Sequence, residues 1–147
     1  MTTQTTHLRD WKITTGYRVL VQVGWGVIAL AKEAALNSYS PFSHFRVGAV
    51  VVAPDGTRYT GANVENSAFG SGICAEGAAI TRAVSAGVRK IDTVAVACID
   101  AAEAGYPCGN CRQLMVEFDV DRVVVAAPEG PRVHPLEELI PHGFKLR

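Results

Sequence analysis

The sequence predicts an α/β fold in which helices cover both faces of a mixed sheet. A hairpin signal comes first, because two strand-like runs flank a Pro-Asp-Gly turn within residues 45–64. Helical and strand-like segments then alternate along the chain. Two of the later strands are almost continuously apolar, which is typical of strands covered on both faces. A hairpin followed by this alternation implies a sheet that contains antiparallel and parallel neighbours.

Each element has a local signal in the sequence. We expect a first helix from about Tyr17 to Leu36, and its central Gly24 and Gly26 indicate either a close contact or a weak stretch rescued by packing. A second helix is expected over residues 74–87, with Gly87 as its C-terminal stop. The remaining elements are a strand over 91–99, a helix over 109–118, a strand over 122–127 and a short helix over 134–140.

Composition limits the class of protein. The chain has 147 residues, of which 48% are hydrophobic, so we expect a single domain over residues 17–147 after an N-terminal extension over residues 1–16. Zero net charge argues against nucleic acid or a membrane as a partner. We find no secretory signal pattern and no membrane-length apolar run, and therefore expect a cytoplasmic protein. In that compartment the cysteines are expected to be thiols or metal ligands.

The cysteines carry the strongest chemical signal. Cys108 and Cys111 form a Cys-x-x-Cys pair at the start of a helix, and this spacing places both thiols on one face. Cys74 opens another helix, where the partial positive charge of the N-terminus stabilises a thiolate. Three sulfurs leave one position of a tetrahedral zinc ion open, as in catalytic sites. Glu76 lies two residues after Cys74, so it could exchange protons with water in that position.

Alternatives remain for the individual cysteine motifs. A lone Cys-x-x-Cys is as typical of a redox pair or half a structural zinc site. Cys98 is expected to be a core residue, but as a fourth ligand it would close the site and give a non-catalytic interaction module. Cys-x-Glu at one helix and Pro-Cys-x-x-Cys at the next is, in combination, the zinc deaminase signature. We expect none of the four histidines to bind the metal: His7, His44, His134 and His142.

Together these motifs resemble the cytidine deaminases of the small, homotetrameric, three-cysteine type. The segments YSPFSHFRVGA, NVEN, CAE, PCGNCRQ and LIPHGF follow the order of that family between about Ala29 and Phe144. The resemblance implies a three-layer α/β/α fold with a mixed five-stranded sheet, one zinc ion per subunit and a homotetramer. It also implies the hydrolysis of cytidine and 2′-deoxycytidine to the uridines and ammonia.

The resemblance assigns a role to each matching residue. Cys74, Cys108 and Cys111 would bind zinc, and Glu76 would transfer protons. The substrate would contact Phe45 on the pyrimidine, Asn63 and Glu65 on the sugar, the backbone of Ala75 on the base edge, and Phe69 and Phe144 across subunit boundaries. From spacing alone, the alternating polar pair shares one strand face but is more typical of a solvated surface, and the phenylalanines are more typical of a core.

Two positions depart from the family pattern. Gly77 stands where tetrameric members often have arginine, and Phe69 stands where they usually have tyrosine. Arg112, next to Cys111, is then a candidate for compensating the negative charge of three thiolates, together with the helix dipoles. The departures leave open a modified cytosine nucleoside or a nucleoside antibiotic of the blasticidin S type as substrate. Polynucleotide editing is a further alternative, against which the zero net charge argues.

Overall fold

The computed structural model describes the backbone of residues 16–146 and the side chains from residue 23 onward. The expected N-terminal extension therefore lies outside the described residues, apart from Gly16. The helices are α1 (Gly16–Ala35), α2 (Ala75–Ser85), α3 (Gly109–Glu117) and α4 (Leu136–Leu139). The strands are β1 (Val47–Val52), β2 (Arg58–Ala62), β3 (Thr93–Cys98), β4 (Arg122–Ala127) and β5 (Gly130–Pro135). Within residues 16–146, no helix combines the length and the hydropathy that crossing a bilayer requires.

The strands form one five-stranded sheet in the order β2-β1-β3-β4-β5. Strand β1 runs antiparallel to β2 and β3, and β5 runs antiparallel to β4. Strands β3 and β4 are parallel, and α3 lies in the crossover that parallel neighbours need. The predicted mixed sheet is confirmed.

Alternation along β1 divides the core into two layers. Ala49 and Val51 face one cluster, which includes Ile80 of α2 and Met115 of α3. Val50 points the opposite way, into a second cluster that α1 covers. Helices therefore lie on both faces of the sheet, which confirms the three-layer α/β/α fold.

Two predicted turns have the expected backbone. Gly56 closes the hairpin at a φ of 87°, a conformation that side chains disfavour. Gly87 follows α2 at a φ of 100°, and the N–H of Val88 donates to the carbonyl of Ala83 at 3.1 Å. This is the Schellman arrangement, so Gly87 is the helix stop that the sequence predicts.

The end of the chain differs from the prediction. A helix was expected over residues 134–140, but β5 continues through Pro135 and α4 covers only Leu136–Leu139. Strand β5 has no clear sequence signal, because Pro131 and Pro135 lack the N–H that a strand ladder uses. An edge strand tolerates them, and β5 lies at the edge of the sheet.

Two strand glycines let the helices approach the hairpin closely. A Cβ atom on Gly48 would lie 1.9 Å from the carbonyl oxygen of Ala31 in α1. One on Gly61 would lie 2.4 Å from the backbone nitrogen of Ala79 in α2. Both distances are too short for any side chain, so β1 and β2 contact their helices through bare backbone.

The two glycines within α1 have different surroundings. A Cβ atom on Gly24 would lie 3.2 Å from the Cβ of Pro131 in β5, so this glycine marks a close contact. A Cβ atom on Gly26 would meet nothing within 4 Å. The close-contact interpretation is therefore correct for Gly24 and wrong for Gly26.

The contact at Gly48 gives the first prediction. Gly48→Ala should lower the free energy of unfolding by at least the ~1–3 kcal/mol typical of an overpacked core, because backbone must move. Gly26→Ala is the matched control in open space, and it should stabilise α1 by up to ~1 kcal/mol. Chemical denaturation measures both. An unchanged free energy of unfolding for Gly48→Ala would contradict the packing described.

Candidate active site

The N-termini of α2 and α3 meet beside the carboxyl end of β3. Cys74 is the N-cap of α2 and Cys108 is the N-cap of α3. Cys111 lies in the first turn of α3, and its N–H donates to Sγ of Cys108 at 3.5 Å. The placement of these cysteines at two helix starts is therefore as predicted.

The three thiols converge on one point. The sulfurs of Cys74, Cys108 and Cys111 all lie within 4.8 Å of one another, and those of Cys74 and Cys108 are 4.0 Å apart. A tetrahedral zinc ion with Zn–S bonds of about 2.3 Å holds its sulfurs about 3.8 Å apart. The donor set therefore fits one zinc ion and leaves one position of the tetrahedron for another ligand.

Cys98 does not join this cluster. It is the last residue of β3, and its Cβ would lie 3.3 Å from a Cβ atom on Gly105. It is half-buried rather than fully buried, because the strand leaves the core there. The expectation of a core residue is therefore wrong, and the arrangement does not supply the fourth sulfur of a closed zinc site.

The thiols differ in their readiness to ionise. Burial raises the pKa of Cys74 and of Cys111, and the nearby Glu76 carboxyl raises both further. Burial also raises the pKa of Cys108, but hydrogen bonds with Cys111, Cys74 and the backbone of Asn110 together outweigh it and hold this pKa below its ordinary value. Three thiolates this close together would repel one another, so the thiols ionise together only beside a cation, and zinc supplies that charge.

Glu76 is a buried acid beside the thiols. Glu76 is 4% exposed and lies in the first turn of α2. Burial raises the pKa of Glu76, and hydrogen bonds with its own backbone N–H and with the Cys111 thiol offset this only in part. A carboxyl group with a raised pKa binds and releases protons closer to neutral pH, as a general acid–base requires.

A cleft of about 500 Å³ opens onto the cluster. This volume lies within the range of small-molecule sites. Tyr106 and Ser43 also line the cleft, although the sequence did not single them out. The predicted site residues that line it are Phe45, Asn63, Glu65, Cys74, Ala75, Glu76 and Cys108.

Asn63 and Glu65 lie just beyond β2, where β-bridges hold Val64 on both sides. Both polar residues line the cleft, so they lie on the same side, as their alternating positions predict. The amide Nδ2 of Asn63 donates to the carbonyl of Phe45 at 2.8 Å, and its Oδ1 accepts from the N–H of Val47 at 2.9 Å. Asn63 therefore fixes the backbone that carries the Phe45 ring.

The Glu65 carboxylate holds the loop that precedes β1. One oxygen accepts from the backbone N–H groups of Phe42 and Ser43 at 2.8 and 3.2 Å, and the other accepts from the Ser43 hydroxyl. The hydrogen bond from that hydroxyl is the main reason that the pKa of Glu65 is lowered. A serine in a loop carries no sequence signal for this role, since only the fold brings it to Glu65.

Phe69 and Phe144 are exposed aromatic residues, of which Phe69 lies beside the cleft and Phe144 does not line it. Phe69 is 80% exposed and contacts the ring of Phe42 edge-on, with centroids 5.8 Å apart. It lines a second cavity of about 440 Å³ that adjoins the cleft. Phe144 is 66% exposed, and its carbonyl accepts from Nε2 of Gln113 at 2.7 Å. Neither ring belongs to the core.

Arg112 is anchored by backbone rather than by an acid. Its Nε donates to the carbonyl of Pro107 and one terminal nitrogen donates to that of Leu139, both at 2.8 Å. The guanidinium therefore ties the cysteine loop to α4. Gly77 has room for a side chain, because a Cβ atom there would meet only Cγ2 of Ile73, at 3.6 Å.

The ligand set gives the second prediction. Replacing Cys74, Cys108 or Cys111 with serine should reduce the zinc content below one ion per chain, because each supplies a sulfur to the same ion. Cys98→Ser is the matched control and should retain the full zinc content. Metal analysis of the purified variants measures the ratio. Full zinc content in any of the first three variants would contradict this ligand set.

Comparison with known proteins identifies the family. The family described as the cytidine and deoxycytidylate deaminase zinc-binding region matches residues 26–127. The cytidine deaminase of Mycobacterium tuberculosis (strain ATCC 25618 / H37Rv) is 36% identical over 126 residues, which cover 84% of this chain and 92% of that protein. The cytidine deaminase of Sporosarcina psychrophila is 47% identical over 92 residues, which cover 63% of this chain and 67% of that protein.

Solved structures are similar throughout the fold. The cytidine deaminase from Burkholderia pseudomallei superposes with a TM-score of 0.75 at 36% identity, covering 81% of this chain and 97% of that chain. The cytidine deaminase from Mycobacterium leprae superposes with a TM-score of 0.69 at 32% identity, covering 80% of this chain and 96% of that chain. The chain therefore belongs to the cytidine and deoxycytidylate deaminase family.

Proposed function

We propose that this protein hydrolyses cytidine and 2′-deoxycytidine to uridine or 2′-deoxyuridine and ammonia. The observation that carries this proposal is the buried carboxyl of Glu76 beside three convergent thiols, at the base of a cleft of about 500 Å³. A metal site with an open position and an adjacent proton carrier is the machinery that nucleobase deamination requires. The relatives named cytidine deaminase support the choice of substrate.

The metal end of the site consists of Cys74, Cys108 and Cys111. When bound there, zinc supplies a Lewis acid that lowers the pKa of a coordinated water molecule. The three thiolates carry more negative charge than one zinc ion neutralises. The N-termini of α2 and α3 and the guanidinium of Arg112 provide the compensating positive charge.

Glu76 moves the protons of the reaction. Its carboxylate accepts a proton from the attacking water and delivers it to N3 of the cytosine ring. Glu76 then accepts the second proton of the water molecule from the hydroxyl group now on C4. It passes this proton to the departing amine, so that the C4–N bond breaks and ammonia leaves. The water oxygen remains on C4 as the carbonyl. Burial of Glu76 keeps these protons from exchanging with bulk water.

The rest of the cleft binds the nucleoside. The ring of Phe45 contacts the face of the pyrimidine, and the backbone of Ala75 hydrogen-bonds its edge. Asn63 and Glu65 bind the sugar, chiefly at its 3′-hydroxyl. Each retains capacity for this, because the Asn63 amide has a second N–H and the Glu65 carboxylate has further lone pairs. Recognition at the 3′-hydroxyl accepts ribose and deoxyribose alike.

We assign the enzyme to the cytoplasm as a homotetramer acting in pyrimidine salvage, with residues 17–147 as one catalytic domain. Phe69 and Phe144 of one subunit would reach the cleft of a neighbour. The exposure of Phe69 supports this, because exposed Phe42, Val64 and Ile73 line the same cavity, and a contiguous exposed apolar patch is typical of an interaction surface. The mass of the protein in solution tests the tetramer.

The role of Glu76 gives the third prediction. Glu76→Gln should retain zinc and lose about 10²–10⁴-fold or more of kcat, because the amide cannot accept a proton. Glu117→Gln is the matched control, since Glu117 is an exposed acid on α3, and it should retain the wild-type rate. The loss of absorbance on deamination measures turnover of both nucleosides.

Two outcomes would contradict the proposal in different ways. Near-normal turnover by Glu76→Gln would remove the proton-transfer role. Failure of the zinc-loaded wild-type protein to turn over either nucleoside, alongside rapid turnover of a modified cytosine nucleoside, would remove the proposed substrate.

A further inference from the structure

We propose that Tyr106 is a specificity-determining residue, whose ring is held by His134 as a fixed wall and limits the size of base that the cleft accepts. This inference rests on the proposed function and deepens it. It concerns the space around the exocyclic amine of the base, whose size the sequence assigned no residue to limit.

Tyr106 lies at the metal end of the cleft. It lines the cleft together with Gly105 and Cys108. Cys108 is a proposed metal ligand and lines the same cleft, so Tyr106 borders the cleft near the place where the reaction would occur. Carbon C4 of the cytosine ring and the amine that it carries must lie beside the metal. The ring therefore faces the amine-bearing edge of the base rather than the sugar.

The hydroxyl of Tyr106 is bound outside the cleft. Its oxygen lies 3.2 Å from Nε2 of His134, and the two rings pack at a centroid distance of 5.4 Å. A nitrogen of Arg132 donates to the same oxygen at 3.5 Å. His134 and Arg132 alternate on β5 and so share one face of the edge strand. The hydroxyl is thus tied to β5 while the ring borders the cleft.

A carboxylate fixes the histidine in turn. Nδ1 of His134 lies 3.2 Å from an oxygen of Glu138, which is four residues further along the chain, in α4. A carboxylate accepts only, so Nδ1 carries the proton, and in neutral His134 the other nitrogen accepts from the Tyr106 hydroxyl. Each group then has a complementary partner. This directional chain restrains the Tyr106 ring against rotation out of the cleft.

The test compares cytidine with N4-methylcytidine, whose hydrolysis gives uridine and methylamine. We expect Tyr106→Ala to raise kcat/KM for N4-methylcytidine relative to cytidine by at least about 10-fold, since pockets discriminate one methyl group by about that factor or more. Tyr106→Phe keeps an aromatic ring and His134→Ala keeps the tyrosine, but each removes the hydrogen bond between Tyr106 and His134. Each should therefore raise the ratio of the two kcat/KM values less than Tyr106→Ala does. His142→Ala, at an exposed histidine, is the matched control and should leave the ratio unchanged.

The result that would overturn the proposal is an unchanged ratio in folded Tyr106→Ala. A purely structural role for Tyr106 would lower kcat/KM equally for both substrates and so leave the ratio unchanged. If Tyr106→Ala does not fold, an unchanged ratio in both Tyr106→Phe and His134→Ala overturns the proposal instead. Absence of cytidine turnover by the wild-type protein would contradict the proposed function. Normal turnover by the wild-type protein with an unchanged ratio in Tyr106→Ala would contradict only the specificity role of Tyr106.

Discussion

The convergence of three thiols and a buried carboxyl group at one point is the constraint on which this structure depends. Burial raises the pKa of Cys74, Cys111 and Glu76, so none of them ionises readily alone. Ionising such a cluster is costly without a cation, and structural zinc binds to zinc-finger peptides with about 10–16 kcal/mol at neutral pH. The bound metal therefore offsets the repulsion between the thiolates and holds α2 against α3.

The sheet brings the two helix starts together. Helix α2 follows β2, α3 follows β3, and both helices pack on the same face. At Gly61 the backbone of β2 contacts α2 directly, and this close approach sets how far the α2 terminus extends over the sheet. Open α/β sheets bind ligands beyond the carboxyl ends of their strands, and this cleft lies beyond the end of β3. Packing on the sheet therefore positions Glu76.

Local signals explain what the sequence predicts well. Helix starts, helix stops and hairpin turns depend on neighbours in the chain, so Cys74, Cys108 and Gly87 could be placed from spacing. The three-cysteine cluster then followed from two helix termini on one face. The sequence did not predict the fifth strand, because Pro131 and Pro135 disfavour a strand. Only the position of β5 at the edge of the sheet allows these prolines. The sequence also did not predict contacts between distant segments, including those of Ser43 with Glu65 and of Tyr106 with His134.

X-ray absorption at the zinc edge distinguishes an open site with three sulfur ligands from a closed site with four. In the protein purified with its metal, we expect three sulfur neighbours at about 2.3 Å and one oxygen or nitrogen neighbour per zinc. The same environment should persist in Cys98→Ala, since Cys98 is not part of the cluster. Four sulfur neighbours in the wild-type protein would contradict the account, because a closed metal leaves no position for the reacting water.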